Sequence, residues 1–226
     1  MYIKNNEQLE KAKLEDTIVE LLYGKYGDLV LHGGTAIWRC YSGNRFSRDI
    51  DFYQKVSEKD KHSNYREISE FLKDCGFSIK EKGYNNATDT MHFLVESNAK
   101  MKIDINFKYK NGIPAEYKKV DDSRIMVLSL APEELLNEKI DVYNYKLQNT
   151  SNQNQPEVQD LYDLYYLITL IKGKEITKRN LRELLKHIRK KPPSNMRSLD
   201  HLILAGLPPT FEFMIEKLME WANDNQ

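Results

Sequence analysis

Two carboxylates two residues apart, Asp49 and Asp51, sit in the short run Asp49-Ile50-Asp51-Phe52-Tyr53. On a strand, alternate side chains leave the same face, so the two acids point together with Cα atoms roughly 6.5 Å apart. Like charges held this close repel each other unless a cation or an arginine neutralises them. Hard carboxylate oxygens suit Mg²⁺, which keeps coordination positions for substrate phosphates. A third acid, Asp104, stands between Ile103 and Ile105 in a run where Met101, Ile103, Ile105 and Phe107 alternate with Lys102, Asp104, Asn106 and Lys108. A period of two places Asp104 on the polar face of that strand. Three strand-borne carboxylates fit two-metal phosphoryl chemistry: one ion activates an attacking hydroxyl, and the other steadies a triphosphate and its pyrophosphate leaving group.

Upstream, Gly33-Gly34 follows the apolar run Leu29 to Leu31 and precedes a helical pattern. Glycines at a strand-to-helix junction let backbone N–H groups approach a phosphate, and the start of a helix favours negative charge. An ordinary strand-to-helix turn is the plainer reading of the glycines taken alone. Ser47 lies in the loop feeding Asp49, where its hydroxyl either binds a phosphate oxygen or stabilises the turn. Arg45 pairs with phosphate, with Asp51, or in a surface ion pair of little energetic consequence.

These groups need elements to hold them. Apolar spacing predicts a helix over Gln8 to Leu22, a strand at Leu29 to Leu31, a helix from Thr35 to Tyr41, a strand at Ile50 to Tyr53 and a helix from Asp60 to Asp74. Strands follow at Phe77 to Glu81, Thr90 to Glu96 and Met101 to Tyr109, the last two joined by a turn near Asn98, with another at Ile125 to Leu128. Near residue 130 the character changes to helical: Pro132 to Leu147, Val158 to Ile171, Thr177 to Arg189 and Thr210 to Ala222, with a polar linker at Asn149 to Pro156. The pattern predicts an α+β protein. Residues 1–129 form a mixed β-sheet domain with flanking helices, and residues 130–226 a C-terminal helical bundle that completes the substrate cleft.

Composition narrows the classes. Hydrophobic residues at 40% and charged residues at 30% fit a globular protein and exclude a disordered chain. No apolar run approaches the roughly 18 residues of a membrane span, and Met1 to Glu10 is polar, so a cytoplasmic protein without membrane contact is expected. The only cysteines, Cys40 and Cys75, lack metal-ligand spacing and read as buried thiols. The five histidines show no metal pairing, and His32 reads as a packed residue. Lys plus Arg balance Asp plus Glu at 34 each, so no global field draws nucleic acid. Between Lys172 and Arg197, however, ten basic residues face only Glu175 and Glu183. That segment is either a solvated face or a contact for a phosphate backbone. Tyr162, Tyr165 and Tyr166 read as a packed helix face.

Gly33-Gly34-Thr35-Ala36 followed by Arg45-x-Ser47-x-Asp49-Ile50-Asp51-Phe52, with Asp104 as a later carboxylate, resembles the nucleotidyltransferase superfamily and within it the AbiEii/AbiGii toxin family. The resemblance extends to Pro132-Glu133-Glu134-Leu135-Leu136-x-Glu138-Lys139 and to Asp160-Leu161-Tyr162-Asp163-Leu164, where Gln159 replaces the family's Arg. It implies a nucleotidyltransferase-like fold and transfer of a nucleoside monophosphate from an NTP, with release of pyrophosphate, by the toxin of a toxin–antitoxin or phage-abortive system. Asp49, Asp51 and Asp104 are the implied ligands of Mg²⁺, or Mn²⁺, in a two-ion site, and Lys139 and Asp160 are further catalytic positions. Gly33, Gly34, Thr35, Arg45, Ser47, Lys139 and Asp163 are the implied nucleotide-binding set. With the basic segment, the family points to an RNA acceptor, tRNA in particular, and to a cognate antitoxin. A small-molecule acceptor, as in antibiotic nucleotidyltransferases, and a non-catalytic nucleotide-binding role remain the alternatives.

Overall fold

The computed structural model describes residues 3–86, 88–108, 110–149, 155–193 and 195–224. The chain forms two compact units, Met1–Leu130 and Ala131–Gln226. The first unit runs α1 (Asn6–Lys25), β1 (Val30–His32), α2 (Gly33–Cys40), β2 (Asp49–Tyr53), α3 (Lys61–Asp74), β3 (Ser78–Asn85), β4 (Thr90–Glu96), β5 (Lys100–Asn106), β6 (Ile113–Lys118) and β7 (Arg124–Ser129). Its strands make one sheet in the order β3-β4-β5-β2-β1-β7-β6. The sheet is mixed: β2 lies antiparallel to β1 but parallel to β5, and β1 is parallel to β7.

Register explains which residues the sheet hides. Leu31, Phe52, Ile105 and Met91 form one row across β1, β2, β5 and β4, and Ile50, Ile103 and Phe93 form another. None of these seven side chains is more than 1% exposed. Burying large apolar side chains is worth about 1.5–3 kcal/mol each, and a slip of one residue would bring the intervening polar rows into the core, so the pairing is strongly specified.

α2 packs against β1, β2 and β6, and a buried polar knot ties its far end to α1 and β6. Arg39 lies 2.7 Å from Glu15 and 3.1 Å from Asp16, donates to the carbonyls of Ala12 and Lys118, and covers the Trp38 ring at 3.8 Å. The Tyr117 hydroxyl, on β6, donates to both acids at 3.0 Å. Burial pushes Glu15 up to about 7 against the opposing pull of Arg39.

The second unit contains α4 (Pro132–Gln148), α5 (Val158–Leu167), α6 (Glu175–Lys190), α7 (Leu199–Leu202) and α8 (Phe211–Asn223). α4 packs on α5 and α6, and α8 on α5 and α6. Pro132 at the first turn of α4 gives up an N–H that has no partner there in any helix. Among the described residues no helix is long and apolar enough to cross a membrane.

Several expectations are corrected. Strand β6 was not anticipated, since Pro114 and Glu116 break the apolar pattern; it is the edge of the sheet, where a proline is tolerated. α5 stops at Leu167 rather than Ile171 because the Thr169 hydroxyl takes the Tyr166 carbonyl at 2.6 Å and the following N–H groups close tighter turns. The short α7 is too brief to show a period. Cys75 is exposed at the end of α3 rather than buried, and Cys40 is half-buried with its thiol pushed up to about 12 by burial. Tyr109, where the third predicted strand of its group ends, and residues 150–154 of the predicted linker lie outside the described residues.

Candidate active site

The polar row between the two apolar rows carries the chemistry. Asp51 on β2 is the cross-strand partner of Asp104 on β5, His32 lies beyond Asp51 on β1, and His92 lies beyond Asp104 on β4. One step along the same face, Asp49 is paired with Lys102. Neighbouring strands are about 4.8 Å apart, so the three carboxylates and one ammonium form a compact four-cornered patch. The parallel pairing of β2 with β5 is what matches two acids separated by more than fifty residues in sequence.

Each corner has its own surroundings. His92 Nδ1 and Asp104 Oδ1 share a hydrogen bond of 2.7 Å, and Lys102 Nζ donates to Asp104 Oδ2 at 2.7 Å. Asp49 keeps an exposed surface, yet protein packed around its carboxylate raises its pKa; Asp104 adds to the rise, while Lys102, Arg48 and Lys11 oppose it. Burial works against the Lys102 ammonium. The hydrogen bond to Asp104 and the charges of Asp104, Asp49 and Asp51 outweigh it and raise its pKa.

Asp51 rests against the glycines. Gly33 is the first residue of α2 and has a φ of +68°, a left-handed backbone that disfavours other residues. A methyl group there would overlap Asp51 Oδ2. At Gly34 a methyl would come within 2.6 Å of Arg45 Nη2 and 2.7 Å of Ser47 Oγ. The carboxylate, the guanidinium and the hydroxyl therefore all crowd the bare backbone at the start of a helix. Arg45 is buried, contrary to the surface ion-pair reading, and its Nη1 donates to the Phe46 carbonyl at 3.0 Å. Thr35 is buried, and its hydroxyl donates to the Asp49 carbonyl at 2.6 Å, so it fixes the entry of β2 to α2. His32 packs, with its ring stacked on Tyr53 at 3.9 Å.

In the helical unit two ion pairs join α4 to α5. Lys139 meets Asp163 at 2.8 Å with both side chains largely buried, and Lys146 meets Asp160 at 2.6 Å. Asp160 also accepts from the Glu157 N–H in a capping box that starts α5. Sequence reasoning did not single out Lys146; a lysine seven residues, about two helical turns, after Lys139 was the available signal. Gln159 is half-buried and donates to Glu157. The basic segment divides: Lys178 and Arg182 turn inward to the carbonyls of Asp224 and Ala222 at the end of α8, while Arg179, Arg189 and Lys190 are exposed.

As a test of the metal reading, hard carboxylate oxygens are the right donors for Mg²⁺, and the carboxylate row runs past a glycine cradle that a side chain would fill. Among the described residues no group of three His, Cys, Asp or Glu side chains is arranged to hold a metal ion, and Asp104 has both oxygens engaged by His92 and Lys102. Three carboxylates are, by their chemistry, a donor set of the kind a divalent cation takes.

A mixed sheet thus carries this acid row beside a Gly-Gly helix start. Residues 21–224 match the family described as nucleotidyl transferase AbiEii toxin, type IV toxin–antitoxin system, and the chain belongs to that family. The family's system implies an antitoxin partner. The fold is similar to JHP933 from Helicobacter pylori, with a TM-score of 0.68 at 18% identity over 97% of this chain and 92% of that one. It is also similar to MenT4, a nucleotidyltransferase toxin from Mycobacterium tuberculosis, with a TM-score of 0.65 at 14% identity over 96% and 83% of the two chains. No curated protein matches the sequence.

Proposed function

We propose that this toxin transfers a nucleoside monophosphate from an NTP to a hydroxyl of an RNA acceptor, tRNA in particular, in the cytoplasm. The acceptor oxygen bonds to the α-phosphorus as the bond from that phosphorus to the bridging oxygen breaks, and pyrophosphate leaves with the electron pair. The observation that carries this reading is the cross-strand pairing of Asp51 with Asp104 beside Gly33.

Asp49, Asp51 and Asp104 would hold Mg²⁺, in a two-ion arrangement that also admits Mn²⁺. When bound, such ions neutralise triphosphate charge and lower the pKa of the attacking hydroxyl. Asp104, steadied by His92, accepts the hydroxyl proton. Arg45 and Ser47, gathered at Gly34, bind phosphate oxygens, and the N–H groups at the start of α2 favour the same negative charge. In the helical unit Asp163 fixes the ammonium of Lys139, which the family resemblance makes a nucleotide-binding position. Asp160 supports that pair indirectly, through the start of α5.

The test is incubation of the purified protein with each α-labelled NTP, Mg²⁺ and total RNA in the absence of antitoxin. Label in an RNA band together with stoichiometric pyrophosphate is the expected result. Pyrophosphate release with label in small hydroxyl compounds would reassign the acceptor, and no transfer to any acceptor would overturn the reading.

A further inference from the structure

The acid row already contains a cation of its own. Lys102 faces Asp49 across the β2–β5 ladder and stands two residues from Asp104 on the same face, with its ammonium 2.7 Å from Asp104 Oδ2. Three carboxylates gathered on one polar face repel one another. Among the described residues Arg48 and Lys11 also act on Asp49, but Lys11 is paired with Glu7 at 2.9 Å, and Lys102 is the basic residue borne on the ladder itself between Asp49 and Asp104.

We propose that Lys102 is an exchangeable counter-ion of the acid row: it holds Asp104 in the metal-free protein, stabilising the fold there, and competes with the divalent cation for that carboxylate. Its geometry suits the exchange. The Lys102 side chain is 46% exposed while that of Asp104 is only 17% exposed, so the ammonium can swing on its flexible stem into water with little loss of packing. The carboxylate stays behind, still held by His92 on the opposite oxygen. Lys102 thereby sets how much divalent cation the enzyme needs, and it keeps the row from expelling itself before the ion arrives.

The inference rests on the metal-binding reading of the row, and the experiment separates the two. Mn²⁺ binding is measured calorimetrically without nucleotide for wild type, Lys102→Met, Lys102→Arg and Asp51→Asn, alongside melting in excess chelator. Removing one competing charge from a half-exposed site is expected to tighten Mn²⁺ binding in Lys102→Met about five- to ten-fold. The same variant melts below wild type in chelator, and Lys102→Arg stays close to wild type in both. Unchanged or weaker Mn²⁺ binding by a folded Lys102→Met, or an unchanged melt in chelator, overturns the counter-ion role. If Lys102→Met does not fold, Lys102→Gln supplies the same comparison. Wild-type binding that Asp51→Asn does not weaken overturns the metal reading itself.

Discussion

Asp104 stands directly across the parallel β2–β5 ladder from Asp51, in a row that ends in His92 on one side and His32 on the other. The apolar rows on either side leave no freedom in this alignment, because shifting β5 by one residue would send Asp104 into the core and Ile103 to the surface. The two acids are thus held by the hydrophobic register of the sheet. His92 and Lys102 then set the direction in which the Asp104 carboxylate points.

Gly33→Ala tests the close approach of Asp51 to the start of α2. The new methyl group overlaps Asp51 Oδ2 and the backbone there is left-handed, so the expected stability loss is about 1–2 kcal/mol. On the proposed function, displacing the Asp51 carboxylate is expected to lower kcat by about 100-fold or more, in line with the effect of a misplacement of about 1 Å. Chemical denaturation and a transfer assay on the same preparation check both numbers. Loss of stability with full activity would show that Asp51 does not depend on that contact.

Arg39 is structural. Replacing it with Met leaves Glu15 and Asp16 buried without their cation, and a loss of about 3–5 kcal/mol is expected. The pH dependence follows from Glu15. Its folded-state pKa, raised to about 7, lies above its ordinary 4.5, so between these values the folded protein holds a proton that the unfolded chain has lost. Stability from this group therefore falls as pH rises through that window. Melting profiles should show Glu15→Gln losing this decline relative to wild type, whereas parallel profiles would contradict the burial argument.

Asp160 and Asp163 occupy neighbouring positions on α5 but perform different tasks. Asp160→Ala removes the cap and the Lys146 pair, with an expected stability cost of about 1–2 kcal/mol and a modest effect on turnover. Asp163→Asn removes the charge that Lys139 meets at 2.8 Å, and the account expects KM for NTP to rise with it. Denaturation curves and initial rates for the two variants separate these effects. Equal kinetic losses in both would place Asp160 in the catalytic machinery as well.

Much of this was legible in the sequence, for reasons that differ by element. The alternation around Asp104 and the spacing of Asp49 and Asp51 are local, so period-two reasoning placed all three on polar faces. The parallel pairing that brings them together is a long-range fact that no local pattern shows; the resemblance implied a shared site and not the pairing. Strand β6 was hidden by Pro114, and its role emerges through Tyr117, which closes the buried knot around Arg39. The ten basic residues between Lys172 and Arg197 looked uniform because composition cannot tell which side chains turn inward.

That division is itself testable. Lys178 is buried and donates to the Asp224 carbonyl at 2.6 Å beyond the end of α8, so Lys178→Met is expected to lose about 1–2 kcal/mol. Lys190→Met, at an exposed position, should stay within about 0.5 kcal/mol of wild type. Urea denaturation distinguishes them, and equal stabilities would contradict the inward assignment.

The most direct measurement compares wild type with Asp104→Asn for Mg²⁺-dependent transfer of label from α-labelled NTP to RNA, with folding verified by circular dichroism. The account predicts that Asp104→Asn abolishes transfer while its metal-free melting temperature falls, because Lys102 and His92 lose their acceptor's charge. Retention of transfer by folded Asp104→Asn at a rate near wild type would contradict it.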